Sequence, residues 1–399
     1  MPSTKLQNSV DFQGQKFYVG LDVHKKSWTV TIRSMGIEVA HFTQPPGAAI
    51  LAAYLKKNFP GGMYFSAYEA GFCGTGIHEQ LCKLGIFNIL VHAADIPASD
   101  KQKKNKTDLH DSRFIAQRLE KNDLKGIYVL TREQQELRSL FRLRESKVRD
   151  VTTANNRLKS FMMFYSIALP GEISKKDFLS VKALEWLSKL EMACSAGTIT
   201  LRIHIEELKY QRKQLYQITK LLREQVQATD PLTYQSLLSV PGIGPVTAMG
   251  LIAEIADFTR FNDPDQYSSF LGLCPWENSS GDNIKTKGIQ PRCNRHLRPL
   301  LIEASWTAIR KSPELFAYYS KHAVRNSKQA IVKVARRLAM IAKGVATTKQ
   351  MYQPDYLQNM RQKQQEQKQT RRTKRFSSGI TQQHKNKQPD NNIAISLPG

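Results

Sequence analysis

The chain has 399 residues, enough for two or three domains with cores of their own, and its 41% hydrophobic fraction is that of a globular protein. Lysine and arginine outnumber aspartate and glutamate 59 to 34, a formal charge of +25 that repels itself unless a polyanion is the usual partner. No apolar run approaches the roughly 18 residues that span a bilayer. No amphipathic basic helix or lipidation motif argues for a membrane surface, so nucleic acid is the expected partner. The five cysteines are odd in number and lack the spacing of a zinc site. The N-terminal "MPSTKLQNSVDFQGQ" has no apolar stretch behind a basic one, so a cytoplasmic address is expected.

After an extension over 1–15, residues 16–125 alternate between β-rich and helical patterns, the reading of an α/β domain. "KFYVGLDV", "SWTVTIRS", "MYFSAYEA" and "FNILVHAA" read as strands. "GAAILAAYLKKNF" and "GTGIHEQLCKLG" read as helices, the second closed by Gly85. The first two strands lie so close in sequence that an antiparallel hairpin is expected, and helices link the later ones. A mixed sheet with flanking helices follows.

Four acids of this domain stand where chemistry is usually placed. Asp22 ends the first strand and Glu69 ends a later one, the sheet edge at which open α/β folds put ligands. Asp108 and Asp111 are three apart at the start of a helix, on one face. Converging carboxylates repel one another unless a cation joins them, and Mg²⁺ is a hard ion that takes carboxylate and phosphate oxygens. Two such ions, about 4 Å apart, serve phosphoryl transfer. Each acid alone is also an ordinary turn or capping residue. His24 and His110 stand beside these acids, but Mg²⁺ prefers oxygen, so they are not expected to bind metal and have at most a supporting role.

Residues 126–230 are helical and highly charged. Leu137, Phe141, Val148, Val151, Leu158 and Met162 form an apolar stripe at three-and-four spacing, interrupted by Arg144 and Asn155. The stripe fits a coiled-coil-like connector that pairs with another subunit, or an amphipathic helix packed on its own domain. Residues 231–350 form a mainly α-helical domain. In "SLLSVPGIGPVTAMGLIAEI", Gly242 and Gly244 separate two helical patterns, as in a helix-hairpin-helix whose turn offers N–H groups to a phosphate. A hairpin used only for packing reads the same way. Trp306 is expected in the core, and the last helix buries Ile331, Val334, Leu338 and Ile341 while showing Arg336 and Arg337. From 351 to 399 the glutamine-, lysine- and arginine-rich composition suits a disordered basic tail.

Within the C-terminal domain, "PWENSSGDNIKTKG" reads locally as a polar loop, and its Ser279-Ser280-Gly281 as a turn. Lys285, Lys287, Arg292, Arg295 and Arg298 read either as phosphate clamps or as solvated surface charge.

"YVGLDVHKKSWTVTI", "YEAGFCGTG" and "NKTDLHDSRFIAQ" resemble the RuvC-like, RNase H-fold domain of the DEDD insertion-sequence transposases, a group related to the Piv DNA invertase that includes bridge-RNA-guided recombinases. The order D, E, D-x-x-D matches fully. It implies metal binding by Asp22, Glu69, Asp108 and Asp111, with two Mg²⁺ ions per site and Mn²⁺ as a substitute. The resemblance continues through Phe270, Gly272, Leu273, Pro275, Ser280, Gly281, Lys285, Lys287, Gly288, Asn294, Leu297 and Arg298, and so spans 16–348. It implies that Ser280, with Ser279 the weaker match, attacks a DNA phosphodiester to give a phosphoserine link. It also implies donor and target DNA, a noncoding guide RNA, dimers that pair into tetramers, and a nucleoid-associated protein of a prokaryote. Two other readings of the residues stay open: a metal-dependent junction nuclease in which water attacks, and a non-catalytic nucleic-acid-binding protein.

Overall fold

The computed structural model describes residues 11–92, 95, 108–174, 179–280 and 283–354. The chain divides into two units at Thr131/Arg132. The basic tail expected after 350 lies outside the described residues beyond 354, as does the extension before residue 11.

The first unit is built on a five-stranded mixed sheet in the order β3-β2-β1-β4-β5. Its strands are β1 (Lys16–Val23), β2 (Trp28–Ser34), β3 (Ile37–Gln44), β4 (Met63–Glu69) and β5 (Phe87–Val91). β1 and β2 form the expected antiparallel hairpin, whereas β4 joins β1 in parallel and β5 joins β4 in parallel. The parallel steps need crossovers, and α1 (Ala48–Asn58) and α2 (Gly76–Lys83) supply them. α2 ends where Gly85 takes a φ of +86°, the left-handed turn that closes a helix. This mixed sheet with flanking helices is consistent with an RNase H-like domain.

Alternation along β1 assigns its two faces. Phe17, Val19 and Leu21 are buried in one core with Leu51 and Leu55 of α1 and Leu81 of α2. Gly20 and Asp22 belong to the other face, which α3 (Asp108–Glu120) covers.

The second unit contains two long helices, α4 (Arg132–Phe164) and α7 (Ser195–Thr229), of 33 and 35 residues. At about 1.5 Å per residue each extends for some 50 Å. Between them the chain forms α5 (Gly171–Ser174) and α6 (Val181–Lys189). Ala154, Leu158 and Met162 of α4 are buried with Leu201, Ile205 and Leu208 of α7. Asn155 accepts a hydrogen bond of 3.3 Å from Arg212 across the same pair. Within the chain, then, α7 covers the distal half of the apolar stripe, and Phe141 enters the C-terminal core instead.

That core is enclosed by α8 (Pro231–Leu238), α9 (Pro245–Ile255), α10 (Pro264–Leu271), α11 (Leu297–Lys311), α12 (Pro313–Ala323) and α13 (Ser327–Thr348). Four of these helices begin with proline, placed where a missing N–H costs nothing. Asp230, Asp263 and Ser312 cap three of them through their side-chain oxygens. Ile331, Val334, Leu338 and Ile341 are buried as expected. Trp306 is not: it is 38% exposed and meets Tyr319 edge to face.

The segment expected as a polar loop forms strands instead. β6 (Pro275–Ser280) and β7 (Asn283–Ile289) pair antiparallel, with Ser280 opposite Asn283. Only Gly281-Asp282 separates them in sequence, a dipeptide type that joins two-residue hairpins. The strands are polar because a two-stranded ribbon has little core to cover.

Candidate nucleic-acid processing site

In the first unit the decisive contact is between backbones. A Cβ on Gly20 would lie 2.0 Å from the carbonyl oxygen of Ser112 and 2.5 Å from the nitrogen of Ala116, so only glycine lets α3 sit this close to β1. Ser112 is fully buried and its hydroxyl is 2.9 Å from that of Thr31, the cross-strand partner of Gly20. At the far end of α3, Glu120 accepts from Arg33 at 2.8 Å and from the Gly36 amide at 2.7 Å. Arg33 pairs with Tyr18 near the start of β1. The helix therefore runs antiparallel to β1, and its first turn, with Asp108 and Asp111, lies toward the strand end that carries Asp22.

Glu69 belongs to the same edge. β1 and β4 are in parallel register up to Leu21 opposite Tyr68, so Asp22 and Glu69 are the next residues on adjacent strands. Both side chains are half-buried residues at strand ends, and His24 Nε2 is 3.1 Å from Asp22 Oδ2. His24 thus contacts the acid two residues before it, whereas the side chains of His110, Asp108 and Asp111 lie outside the described residues. Asp22 and Glu69 bring carboxylate oxygens, the donor type that suits a hard divalent cation, to the ends of adjacent strands, and no group of three or more metal-ligating side chains stands together among the described residues.

In the second unit, β6 and β7 place Ser280 at the tip of the hairpin. Successive strand residues belong to opposite faces. The register groups Ser280 with Asn278, Asn283 and Lys285, and groups Ser279 with Glu277, Ile284 and Thr286. The two serines are therefore not equivalent. The register shifts between Pro275 and Glu277, across from Lys287 and Gly288, and Gly288 has a φ of +77°. The glycine thus permits a bulge at the base of the hairpin.

The remaining sites divide. Arg295 is exposed, and so is Arg292, which has a partner of its own in the chain. Arg298 is engaged internally: its Nη1 donates to the Gln290 carbonyl at 3.1 Å and its Nη2 to Cys293 Sγ. Gly242 has a φ of +90°, and a Cβ there would lie 2.4 Å from the Ala304 carbonyl of α11. Its glycine is required by packing. Nothing lies within 4 Å of a Cβ built on Gly244, which precedes the N-terminus of α9. Arg336 pairs with Asp265, and Arg337 with Glu314 at 2.7 Å, so both charges have partners in the chain.

The sequence reading missed Glu254. It stands in α9, in the apolar "GLIAEIADF", and its side chain is fully buried. A single acid inside a buried helical pattern was the available signal, since such a charge needs a partner. Burial alone would raise its pKa. Hydrogen bonds from Arg142 and Asn294, with the charges of Arg142 and Arg138, outweigh burial and hold it below the ordinary glutamate value.

The chain is similar to known transposases. Residues 19–167 match a DEDD family model described as "Transposase", and residues 234–320 match the model "Transposase IS116/IS110/IS902 family". The chain is 26% identical over 250 residues to "Transposase for insertion sequence element IS1328" of Yersinia enterocolitica, covering 61% of this chain and 73% of that protein. It is 26% identical over 258 residues to "Transposase for insertion sequence element IS1111A" of Coxiella burnetii, covering 63% of this chain and 69% of that protein. No helix among the described residues is long and apolar enough to cross a membrane.

Proposed function

Because this chain belongs to the IS116/IS110/IS902 family of transposases, an enzyme family of DNA cleavage and transfer, we propose that it excises and inserts a mobile element by a serine-linked recombination. The observation that carries the reading is the Gly20–Ser112 contact, because it aims the first turn of α3 at the strand edge of Asp22 and Glu69. Dependence on a divalent metal goes with a DEDD domain.

In this reading Asp22, Glu69, Asp108 and Asp111 hold Mg²⁺, and His24 fixes the orientation of Asp22. When bound there, the metal would supply charge neutralisation for a phosphodiester. Ser280 Oγ forms a bond to phosphorus as one P–O ester bond breaks and a deoxyribose hydroxyl leaves. The serine is a weak nucleophile until its proton is removed, and that proton ends on the departing deoxyribose oxygen. The Oγ–P ester keeps the energy of the broken bond, so a second deoxyribose hydroxyl reverses the chemistry on a new strand without an external energy source. Lys285, which shares the register group of Ser280, and Lys287 draw the phosphate to the hairpin, together with Arg292 and Arg295. Gly244 offers the open helix start of the 231–255 hairpin as a further backbone contact.

The partners in this reading are donor and target DNA, a noncoding guide RNA, and further copies of the chain, as dimers that pair into tetramers. The charge of +25 supports a polyanion of either kind. The test is a cleavage assay on element-end DNA with Mg²⁺. Asp22→Asn should abolish strand cleavage with DNA binding retained, and Ser280→Ala should abolish the covalent protein–DNA species. Undiminished cleavage by Ser280→Ala would instead assign the attack to water and make the protein a nuclease.

A further inference from the structure

We propose that Glu254 is a positioning residue that holds the Ser280 hairpin in place through Asn294, an inference that rests on Ser280 being the attacking group. Its carboxylate accepts from Arg142 Nε at 2.6 Å and Nη2 at 2.9 Å, and from Asn294 Nδ2 at 2.7 Å. Arg138 Nη2 donates to the Glu254 carbonyl at 2.7 Å. Both arginines lie on α4, close to where that helix begins, so Glu254 joins α4, α9 and the segment before α11.

From Asn294 the connection continues to the hairpin. The Asn294 side-chain oxygen accepts from the amides of His296 at 3.0 Å and Leu297 at 3.1 Å, which starts α11. Its own amide donates to the Phe270 carbonyl at 2.8 Å, which ties it to the end of α10. Arg298, the second residue of α11, binds the Gln290 carbonyl. Gln290 follows β7 directly, and its amide donates to the Cys274 carbonyl, just before β6, at 3.1 Å. Ser269 of α10 donates to the Gln290 side chain at 3.0 Å. Both ends of the ribbon are thus clamped at its base.

The clamp has little slack. Gly272 has a φ of +67°, and a Cβ there would lie 2.3 Å from Cys293 Cβ, so the segments entering and leaving the hairpin touch. A two-stranded ribbon is marginal by itself and depends on its base for orientation. A fully buried carboxylate with bidentate arginine geometry is a demanding arrangement, since removing one partner leaves the others buried without compensation. Helix packing alone needs no such group at this position; a fixed link between three elements does.

The test uses the full-length chain and two variants. Glu254→Gln removes the charge, and the pair Glu254→Leu with Arg142→Leu removes both charges so that the core keeps its packing. Amide hydrogen exchange is measured over 275–289, beside DNA affinity and the rate of covalent adduct formation. In whichever variant retains cooperative unfolding, exchange over 275–289 should quicken at least tenfold while the core of α13 keeps its protection. Adduct formation should fall at least tenfold with DNA affinity within twofold. Unchanged exchange over 275–289 in a folded variant overturns the proposal. Quickened exchange in the variants, with no adduct formed by the wild-type chain, leaves the positioning role in place and refutes the nucleophile assignment.

Discussion

Gly20 and Ser112 meet backbone to backbone, with the space for a Cβ on Gly20 taken up by the Ser112 carbonyl. This contact between β1 and α3 fixes how near the first turn of the helix comes to Asp22. Gly20→Ala should therefore destabilise the first unit by roughly 3 kcal/mol, the upper part of the usual cost of overpacking, and remove metal-dependent cleavage. Urea unfolding with a parallel cleavage assay checks it. Wild-type stability in the alanine variant would mean that α3 is seated otherwise.

The 3.1 Å contact between His24 and Asp22 gives a graded expectation. Partners that orient a metal-binding carboxylate typically contribute about 10- to 100-fold in metal affinity or activity. His24→Ala should raise the Mg²⁺ concentration needed for half-maximal cleavage by about tenfold, with saturating Mg²⁺ restoring most of the rate. A Mg²⁺ titration of cleavage reads this directly. An unchanged titration curve would reduce His24 to a surface residue.

Arg295 and Arg298 are three residues apart, yet they should behave differently. Arg295 is exposed, whereas Arg298 is spent on Gln290 and Cys293. Arg295→Ala should lessen the slope of log K against log salt by about one, the loss of one phosphate contact. Arg298→Ala should leave that slope as it is and lower the melting temperature. Binding isotherms over a range of salt, with a thermal melt of each variant, separate the two roles.

Glu254 gives a pH dependence with a definite sign. Its pKa is depressed in the folded chain, so its stabilising contribution is present above the ordinary glutamate range and is lost as pH falls through the folded value. At pH 7 the wild-type chain should exceed Glu254→Gln by about 3 kcal/mol, the cost of breaking a buried pair. The difference should shrink below about pH 4. Urea denaturation of both chains across that interval measures it. A gap that stays constant to pH 3 would contradict the ion-paired state.

Much of the first unit was legible because its strands are buried on alternating or both faces. "KFYVGLDV" carries both the period of two and the acid at its end. β3 was not read as a strand: "IEVAHFTQ" lies at the sheet edge, most of it partly or fully exposed, and so lacks a run of apolar residues. The hairpin of β6 and β7 was hidden for a related reason, because polar residues dominate both strands, although the separating Gly-Asp dipeptide was a readable sign. Long-range relationships were the least legible. Arg298 looks like any surface cation in sequence, and only its contacts with Gln290 and Cys293 remove it from the set of free phosphate ligands. Gly242 likewise matches a phosphate-binding turn, while in the fold its missing side chain makes room for α11. Trp306 shows the limit of composition: a large ring in a helix suggests core, yet it is 38% exposed and meets Tyr319 edge to face.

The most direct test of the account is to identify the residue that becomes attached to DNA. Wild-type protein is incubated with element-end DNA and Mg²⁺, digested with nuclease and protease, and the modified peptide is sequenced by mass spectrometry. The account predicts a phosphoester on Ser280, absent from Ser280→Ala and retained in Ser279→Ala. Attachment at Ser279, or cleaved DNA with no protein–DNA link, would contradict it.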